Sequence, residues 1–225
     1  MYDFLTGPML YLSLAIFIGG CIWRVVWYIR GLDQKLDRVA YKAHLEHGLK
    51  HAARSVIAFI IPFGSHTWRA KPAMTIATFF FHFAIVGIPL FAPAHTTLMD
   101  QWLWIAPLSL PQSVVDFLIL MFFISAAFLI LRRVALPEVR ILTNWQDVMV
   151  LAITIAPFIT GVLASTHTGD YQFWLNMHIF CGEVMLIAIP FTKLSHFVLF
   201  FMSRGQLGMD FGIKRGGLKG TKFAW

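Results

Sequence analysis

Five long apolar segments dominate this sequence. They cover roughly residues 9–29, 73–92, 113–132, 147–165 and 174–201. An α-helix needs about 20 residues to cross the hydrocarbon core of a bilayer, and each segment is near or above that length. Only 13% of the 225 residues are charged, too few to cover a soluble globule with polar surface. The pattern predicts an all-α integral membrane protein with five transmembrane helices in residues 1–204.

The first apolar segment resembles a secretory signal peptide only in its position. It has no basic region ahead of it, Asp3 precedes it, and it continues for about 21 residues to Arg30. We therefore expect a retained helix.

The lysines and arginines predict the orientation of the chain. All eighteen fall between Arg24 and Lys71, between Arg132 and Arg140, or after residue 192. The first eight residues and the loops 93–112 and 166–173 contain none. Because basic residues accumulate on the cytoplasmic side, the N-terminus is expected outside and the C-terminus in the cytoplasm.

Three connecting regions have recognisable patterns. The outer loop 93–112 contains tryptophans suited to the membrane interface. The inner loop 31–71 contains apolar residues at helical spacing, which predicts an amphipathic helix lying on the membrane or against a partner. Residues 205–225 are basic and glycine-rich, and we expect a cytoplasmic tail that orders on binding.

Four histidines at matching depths are the strongest indication of chemistry. His178 and His196 lie eighteen residues apart, five whole turns of a straight helix, so both are expected on one face about 27 Å apart. His82 lies in the cytoplasmic half of the second segment, and His95 lies just beyond its outer end. Because the second and fifth segments run in opposite directions, depth pairs His82 with His196 and His95 with His178. Each pair predicts a haem held by two neutral imidazoles, one near each membrane surface.

The last segment also carries motifs that resemble a known family. His178 precedes Gly182 in a His-x3-Gly pattern, and residues 190–194 read Pro-Phe-Thr-Lys-Leu shortly before His196. These motifs are similar to the last helix of the haem b membrane (gamma) subunits of respiratory nitrate reductase and its relatives. Within that group the chain looks like the b-type subunits of sulfate-reducer transmembrane redox complexes. The resemblance implies two haems b, menaquinone or another quinone as membrane substrate, and peripheral redox subunits.

The histidines of the second segment depart from that family. The gamma subunits have two ligands ten residues apart there, whereas His82 and His95 are thirteen apart. Thirteen residues rotate about 220° in a straight helix, which points the two rings toward nearly opposite faces. Pro89 and Pro93 could kink this helix end and turn His95 back. Three alternatives stay open: His95 as the outer ligand, His167 in its place, or a single inner haem.

Several polar residues are candidates for supporting roles. Glu183 lies mid-membrane shortly after His178, where it could support the haem site, relay protons or form a hydrogen bond that packs helices. Basic residues at the inner interface could pair with haem propionates, although snorkelling to the headgroups explains them equally well. These basic residues are Arg24, Arg132, Arg133 and Lys193.

Three further histidines form a stripe in the inner loop. His44, His47 and His51 follow an i, i+3, i+7 spacing that permits a metal site geometrically. No carboxylate-assisted motif accompanies them. We expect this face to contact a partner or lipid headgroups.

Other function classes lack the residues that they need. Cys21 and Cys181 cannot supply the four thiolates of an iron–sulfur cluster, and there is no CxxCH motif for a covalent haem. The net charge of +7 follows from topology and does not indicate nucleic-acid binding.

We therefore predict a multi-pass cytochrome b subunit of a bacterial or archaeal cytoplasmic membrane. It would pass electrons between a quinone pool or a periplasmic cytochrome c and a cytoplasmic iron–sulfur subunit, and no catalytic residues are expected on this chain alone. The alternatives are a single-haem subunit, a haem-free anchor for peripheral subunits, or a transporter that uses Glu183.

Overall fold

A computed structural model describes residues 1–32, 45–105 and 107–214. These residues form helices joined by short connections, with no strand among them. The prediction of an all-helical chain with five helices that could span a membrane is confirmed, whereas the orientation of the termini stays a prediction. The five candidate spans are Tyr2–Gly31, Pro72–Phe91, Gln112–Ala135, Trp145–Ser165 and Tyr171–Phe191.

Short helices and helical turns separate some of the long helices. An α-helical turn at Tyr2–Phe4 and a π-helical turn at Leu5–Met9 precede the first long helix, and a 3-10 turn at Lys193–Ser195 precedes the last helix. The helices are α1 (Leu10–Leu32), α2 (Leu45–Ile60), α3 (His66–Ala70), α4 (Pro72–Phe91), α5 (Pro93–Leu103), α6 (Gln112–Ala135), α7 (Pro137–Leu142), α8 (Trp145–Ser165), α9 (Tyr171–Phe191) and α10 (His196–Lys214).

The long helices leave large apolar side chains on their surfaces. Ile18, Phe83 and Leu120 are each more than half exposed. In water such surfaces promote association, but in a bilayer they are the faces that contact lipid. The side-chain distribution is therefore that of a membrane protein.

The chain divides into two compact units. The first contains residues 1–66 and the chain from residue 146 on, and the second contains residues 67–145. In the first unit α1 packs against α9, and the π-helical turn Leu5–Met9 also contacts α9. Gly20 is needed at this crossing, because a Cβ there would come within 2.6 Å of the Pro190 ring. These contacts make α1 and α9 parallel, with close approach through glycine as in many membrane helix pairs.

The predicted fifth span, 174–201, is not one straight helix. α9 ends at Phe191, and Thr192 is extended, with φ −119° and ψ −172°. A 3-10 turn then leads into α10. The straight-helix argument that placed His178 and His196 on one face therefore does not hold, since the two residues lie on separate helices.

Proline and threonine account for this break. Pro190 has no N–H to continue the helical hydrogen-bond ladder. The N–H of Leu194, which a continuous helix would direct to the Pro190 carbonyl, is instead donated to the Thr192 hydroxyl oxygen. The Pro190 carbonyl accepts a hydrogen bond from Arg24 Nε at 2.7 Å. A side chain of α1 thus satisfies a carbonyl that the end of α9 leaves open.

The predicted amphipathic inner loop contains α2, which packs along α10. A Cβ at Gly208 would come within 2.7 Å of the Ala52 Cα, so glycine permits this approach. The Arg204 guanidinium lies 3.5 Å from the centre of the Phe59 ring, a cation–π contact across the same pair of helices.

This helix pair changes the predicted tail boundary. Residues 205–214, expected as the start of a tail that orders on binding, are the last part of α10. One of the glycines that suggested a tail, Gly208, is the residue that lets α10 approach α2. Residues 33–44 contain Leu36, Val39 and Ala43, whose spacing after Leu32 predicted the amphipathic helix, and residues 215–225 contain the rest of the predicted tail. Both ranges lie outside the described residues.

The second unit is built on α4 and α6. The rings of Phe81 and Phe122 stack with their centroids 5.0 Å apart, and Phe122 is fully buried. After α4 the chain is extended at Ala92 (φ −69°, ψ 142°), and α5 begins at Pro93 in the predicted outer loop. The chain therefore changes direction between the end of α4 and the start of α5.

The predicted orientation can be tested with a matched pair of exposed positions. His66 opens α3 within the basic inner loop, and Thr168 lies in the turn between α8 and α9. We expect Thr168→Cys to react with a membrane-impermeant maleimide in intact cells, because that turn lies on the side without basic residues. His66→Cys should react only after the cells are permeabilised. The reverse pattern would invert every depth assignment.

Candidate functional site

His178 lies on α9 and reaches the backbone of α8. Its Nδ1 is 2.8 Å from the carbonyl oxygen of Pro157. A carbonyl oxygen can only accept a hydrogen bond, so Nδ1 carries the hydrogen and donates it. The lone pair of the neutral ring then lies on Nε2. A histidine that ligates a metal through one nitrogen commonly donates from the other in this way.

Gly161 makes room for the His178 ring. A Cβ on Gly161 would lie 3.0 Å from both the Nδ1 and the Cε1 of His178. Pro157 and Gly161 are one helical turn apart on α8, so the ring lies against a bare stretch of backbone. The position and the tautomer of His178 are therefore both set by α8.

His82 and His196 make the same kind of hydrogen bond, each to a carbonyl oxygen a few residues earlier in the chain. His82 Nδ1 lies 2.7 Å from the carbonyl oxygen of Thr78, one turn earlier on α4. His196 Nδ1 lies 2.8 Å from the carbonyl oxygen of Lys193 in the 3-10 turn. By the same argument both rings donate from Nδ1, so the nitrogen that carries the lone pair of a neutral ring is Nε2.

His95 lies in the first turn of α5, after the change in chain direction. Its Nδ1 is 3.1 Å from the carbonyl oxygen of Ile88 on α4. Burial lowers the pKa of His95 below its usual range, although hydrogen bonds to the carbonyls of Ile88 and Pro89 oppose the shift. The ring is thus held against the end of α4 in its neutral form.

His167, the alternative outer ligand, has a different environment. It lies in the exposed turn after α8, with a left-handed backbone at φ 51°. Its ring contacts the Tyr171 ring, with centroids 4.9 Å apart. This geometry places the side chain at the surface of the turn.

The four expected ligands are divided between the two units. His178 and His196 belong to the first unit, and His82 and His95 belong to the second. Within the described residues there is no group of three or more His, Cys, Asp or Glu side chains that could hold a bare metal ion. The pairing of His82 with His196 and of His95 with His178 stays a prediction.

The basic residues expected near haem propionates take part in protein contacts. Arg24 bonds the Pro190 carbonyl, as described above. Lys193 forms a 2.7 Å ion pair with Asp147 at the start of α8. Arg133 donates to the Thr143 hydroxyl at 3.2 Å. Arg132 lines a groove of about 440 Å³ beside Lys71. A role toward propionates stays a prediction for all four.

Glu183 is buried in the middle of α9. Its side chain is 2% exposed, and neither carboxyl oxygen has a hydrogen-bond partner among the described residues. The Oδ1 of Asn176, two turns earlier on the same face, is also buried without a partner in that part of the chain. The membrane span therefore contains two unsatisfied polar groups in line.

The histidine stripe of the inner loop is partly described. His51 is buried against α10, and its ring lies 4.5 Å from that of His47, centroid to centroid. Burial lowers the pKa of His51, and the nearby positive charges of His47, Arg54 and Lys50 lower it further. His51 thus packs between helices, whereas His44 lies outside the described residues.

Sequence reasoning did not single out Pro157, Gly161 or Asn176. Pro157 and Gly161 are four residues apart within an apolar run, where hydropathy gives no reason to select them. The available signal was that Gly161 lies one helical turn after Pro157. A glycine at that place leaves room for a ring to approach the backbone of the helix. Asn176, a lone amide in the last span, was an available polar signal as well.

A protein of Nitratidesulfovibrio vulgaris (strain Hildenborough) is 53% identical to this chain over 226 residues, and the match covers the whole length of both. The chain belongs to the same family as that protein. Family membership at this level extends to all five candidate spans and to the connections between them.

The chain is also similar, at lower identity, to a subunit of a respiratory enzyme. The gamma chain of respiratory nitrate reductase 1 from Escherichia coli K12 is 23% identical over 177 residues, which cover 60% of this chain and 78% of that one. This partial similarity at low identity gives weak support to the family suggested by the sequence motifs. No family model and no solved structure matches the chain.

Proposed function

We propose that the chain is a membrane cytochrome b subunit of a respiratory redox complex. Two haems b would be held by His82 with His196 near the cytoplasmic face and by His95 with His178 near the outer face. The observation that carries the proposal is the hydrogen bond from Nδ1 of each of these histidines to a backbone carbonyl. The same tautomer at all four positions leaves Nε2 as the nitrogen with the lone pair, as axial ligation requires.

The shape of the backbone beside His178 also fits a fixed ligand. Gly161 holds open the space that the ring occupies, and Pro157 supplies the acceptor that orients it. A histidine that only filled space in a helix interface would need neither a bare glycine nor a fixed tautomer. The distant similarity to a respiratory gamma chain supports the same assignment.

Haem, when bound, supplies a one-electron carrier within the low-dielectric membrane. The chain's own residues would fix the imidazole orientation and tautomer, and the spans would exclude water. We propose a quinone pool or a periplasmic cytochrome c as the outer partner and a cytoplasmic iron–sulfur subunit as the inner one. The basic residues of the inner loops would meet an acidic face of that inner subunit. The host membrane would be a bacterial or archaeal cytoplasmic membrane.

Electron paramagnetic resonance of the oxidised, purified chain tests the ligand type. Two imidazoles on one iron give a low-spin ferric signal, so we expect low-spin haem and no high-spin species. A high-spin signal would mean that one axial histidine is absent. A chain with an intact helical fold but no haem signal would favour the anchor or the transporter.

A methyl group at residue 161 is expected to disturb the outer haem. In Gly161→Ala the new Cβ would lie 3.0 Å from two atoms of the His178 ring, so the ring must move away from the Pro157 carbonyl. Overpacking of this kind costs about 1–3 kcal/mol. A ring that loses its carbonyl acceptor is a weaker electron donor to ferric iron. We therefore expect a higher midpoint potential or partial loss of the outer haem, measured by redox titration, with the inner haem unchanged.

Gly19→Ala is the matched control for this variant. Gly19 also lies within a span, but a Cβ there meets nothing within 4 Å. Both haems should keep their potentials in Gly19→Ala. Equal behaviour of the two variants would show that the position of His178 against α8 does not matter for haem binding.

A further inference from the structure

Buried polar groups line the interface between α9 and the N-terminal part of the first span. Asn176, Glu183 and Pro190 recur every seven residues, so they share one face of α9. Pro190 packs on Gly20 of α1, which identifies this as the face toward α1. Thr6 and Ser13, at 4% and 0% exposure, are buried in the two elements that pack there.

The parallel register aligns these groups in depth. With Gly20 opposite Pro190, residues seven positions earlier, Ser13 and Glu183, lie at one level. A further seven positions leads to Asn176, about 10 Å away along α9. On the other side it leads to Thr6 in the π-helical turn before α1, a turn that also contacts α9. Thr6 belongs to the π-helical turn that contains Pro8, an irregular backbone of a kind found often at functional sites. The polar groups therefore run from the start of both helices to the middle of the membrane.

Glu183 is costly to retain as a mere packing residue. A bare carboxylate inside a membrane protein is strongly unfavourable unless it is paired. Both Glu183 oxygens lack a hydrogen-bond partner among the described residues. If the Glu183 carboxylate takes up a proton from water, it becomes a neutral carboxylic acid and this cost is avoided. Each hydroxyl of Thr6 and Ser13 donates to its own helix, at 3.0 and 2.9 Å, and keeps lone pairs that can accept a proton.

We propose that Glu183 is a proton-binding site within the membrane and that Thr6, Ser13 and Asn176 form its path to the membrane face where α1 and α9 begin. A hydronium ion at that face transfers its proton along the path with intervening water. The Glu183 carboxylate becomes a carboxylic acid and one water is released, and the reverse step returns the proton. The proposal goes beyond the proposed function and stands independently of haem.

Other titratable groups on the surrounding elements have their own environments. Tyr11 is half exposed. The Cys181 thiol forms a side-chain hydrogen bond with Thr160. The remaining titratable groups on α1, α8, α9 and the 3-10 turn are Cys21, Arg24, Tyr28, Arg30, Asp147, Tyr171, His178 and Lys193. Arg24 donates to the Pro190 carbonyl and Tyr28 donates to Gln206. Lys193 pairs with Asp147, and His178 faces α8. Cys21 is buried beside Gly20 in the middle of α1.

Infrared spectroscopy of the full chain in lipid vesicles tests the site. A carboxylic acid has a carbonyl band that shifts on deuteration, and ionised carboxylates lack it. We expect one such band at neutral pH in the wild type and none in Glu183→Gln. A wild type without this band, or a band that survives in Glu183→Gln, would overturn the proposal.

The rate of deuteration after transfer to heavy water tests the path. We expect Ser13→Ala, Thr6→Val and Asn176→Leu each to slow the shift of the band about tenfold, as the loss of one buried hydrogen-bonding step implies. Ser125→Ala is the matched control, because Ser125 is equally buried but lies in α6. Rates equal to that control in all three variants would refute the path. Haem content is read separately from the visible spectrum, so its absence leaves this result intact.

Discussion

Replacement of His196 by alanine is expected to remove the inner haem. The ring lies at the start of α10, and its Nδ1–H is held by the Lys193 carbonyl, so Nε2 carries the lone pair. Without this imidazole the inner iron would have one axial ligand from the chain, the ring of His82. The haem-to-protein ratio should fall from two to one, and electron transfer to a cytoplasmic acceptor should stop. The outer haem should still be reduced from its own side.

His66→Ala is the control for this variant. His66 is exposed at the start of α3, and its loss should leave both haems in place. A second variant, His196→Gly grown with imidazole, separates ligand loss from misfolding, because free imidazole can occupy the position of the missing ring. Full haem content in His196→Ala would remove His196 from the ligand set.

Loss of His95 is expected to abolish the outer haem, whereas loss of His167 should not. The break at Ala92 and the hydrogen bond to Ile88 hold the His95 ring against the end of α4. His167 lies in an exposed turn against Tyr171, a setting suited to contact with a small molecule or a partner. We expect His95→Ala to retain one haem, the inner one. His167→Ala should retain two haems and at most oxidise an outer donor more slowly.

The two variants serve as controls for each other, since each removes one imidazole near the same predicted membrane face. Visible spectra of the purified proteins, with redox titration to identify the remaining haem, provide the measurement. Loss of haem in His167→Ala with retention in His95→Ala would assign the outer ligand to the turn after α8.

The spans were predictable because length and hydropathy suffice to define them. An apolar run of about 20 residues has few alternatives to a transmembrane helix. Of the two prolines that could redirect the chain before His95, Pro89 lies inside α4 and Pro93 begins α5 after the extended Ala92. Pro93 cannot continue the hydrogen-bond ladder of α4. These are local properties that a sequence displays directly.

The break at Thr192 was less visible, because the short polar stretch 192–196 is flanked on both sides by apolar residues. Proline can be accommodated in a membrane helix, so Pro190 alone did not require a break. The break depends on Arg24, which supplies a hydrogen bond from a distant part of the chain. Such compensation arises from tertiary structure and has no local signature.

The packing of α2 on α10 was misjudged for a related reason. Glycines such as Gly205 and Gly208 are common in flexible tails and also at close helix contacts. Only the partner, here the backbone near Ala52, decides between the two. Likewise, the positions of His82, His95, His178 and His196 are visible in the sequence. The hydrogen bond that each ring makes from Nδ1 to a backbone carbonyl is visible only in the structure.

The haem-to-protein ratio of the purified full chain tests the central claim most directly. It is obtained from the reduced-minus-oxidised visible spectrum together with a quantitative protein assay. The proposed function predicts b-type haem at two per chain, with both haems reducible. A folded, membrane-inserted chain that contains no haem would contradict it, and a ratio of one would contradict the assignment of His95 and His178 as an outer pair.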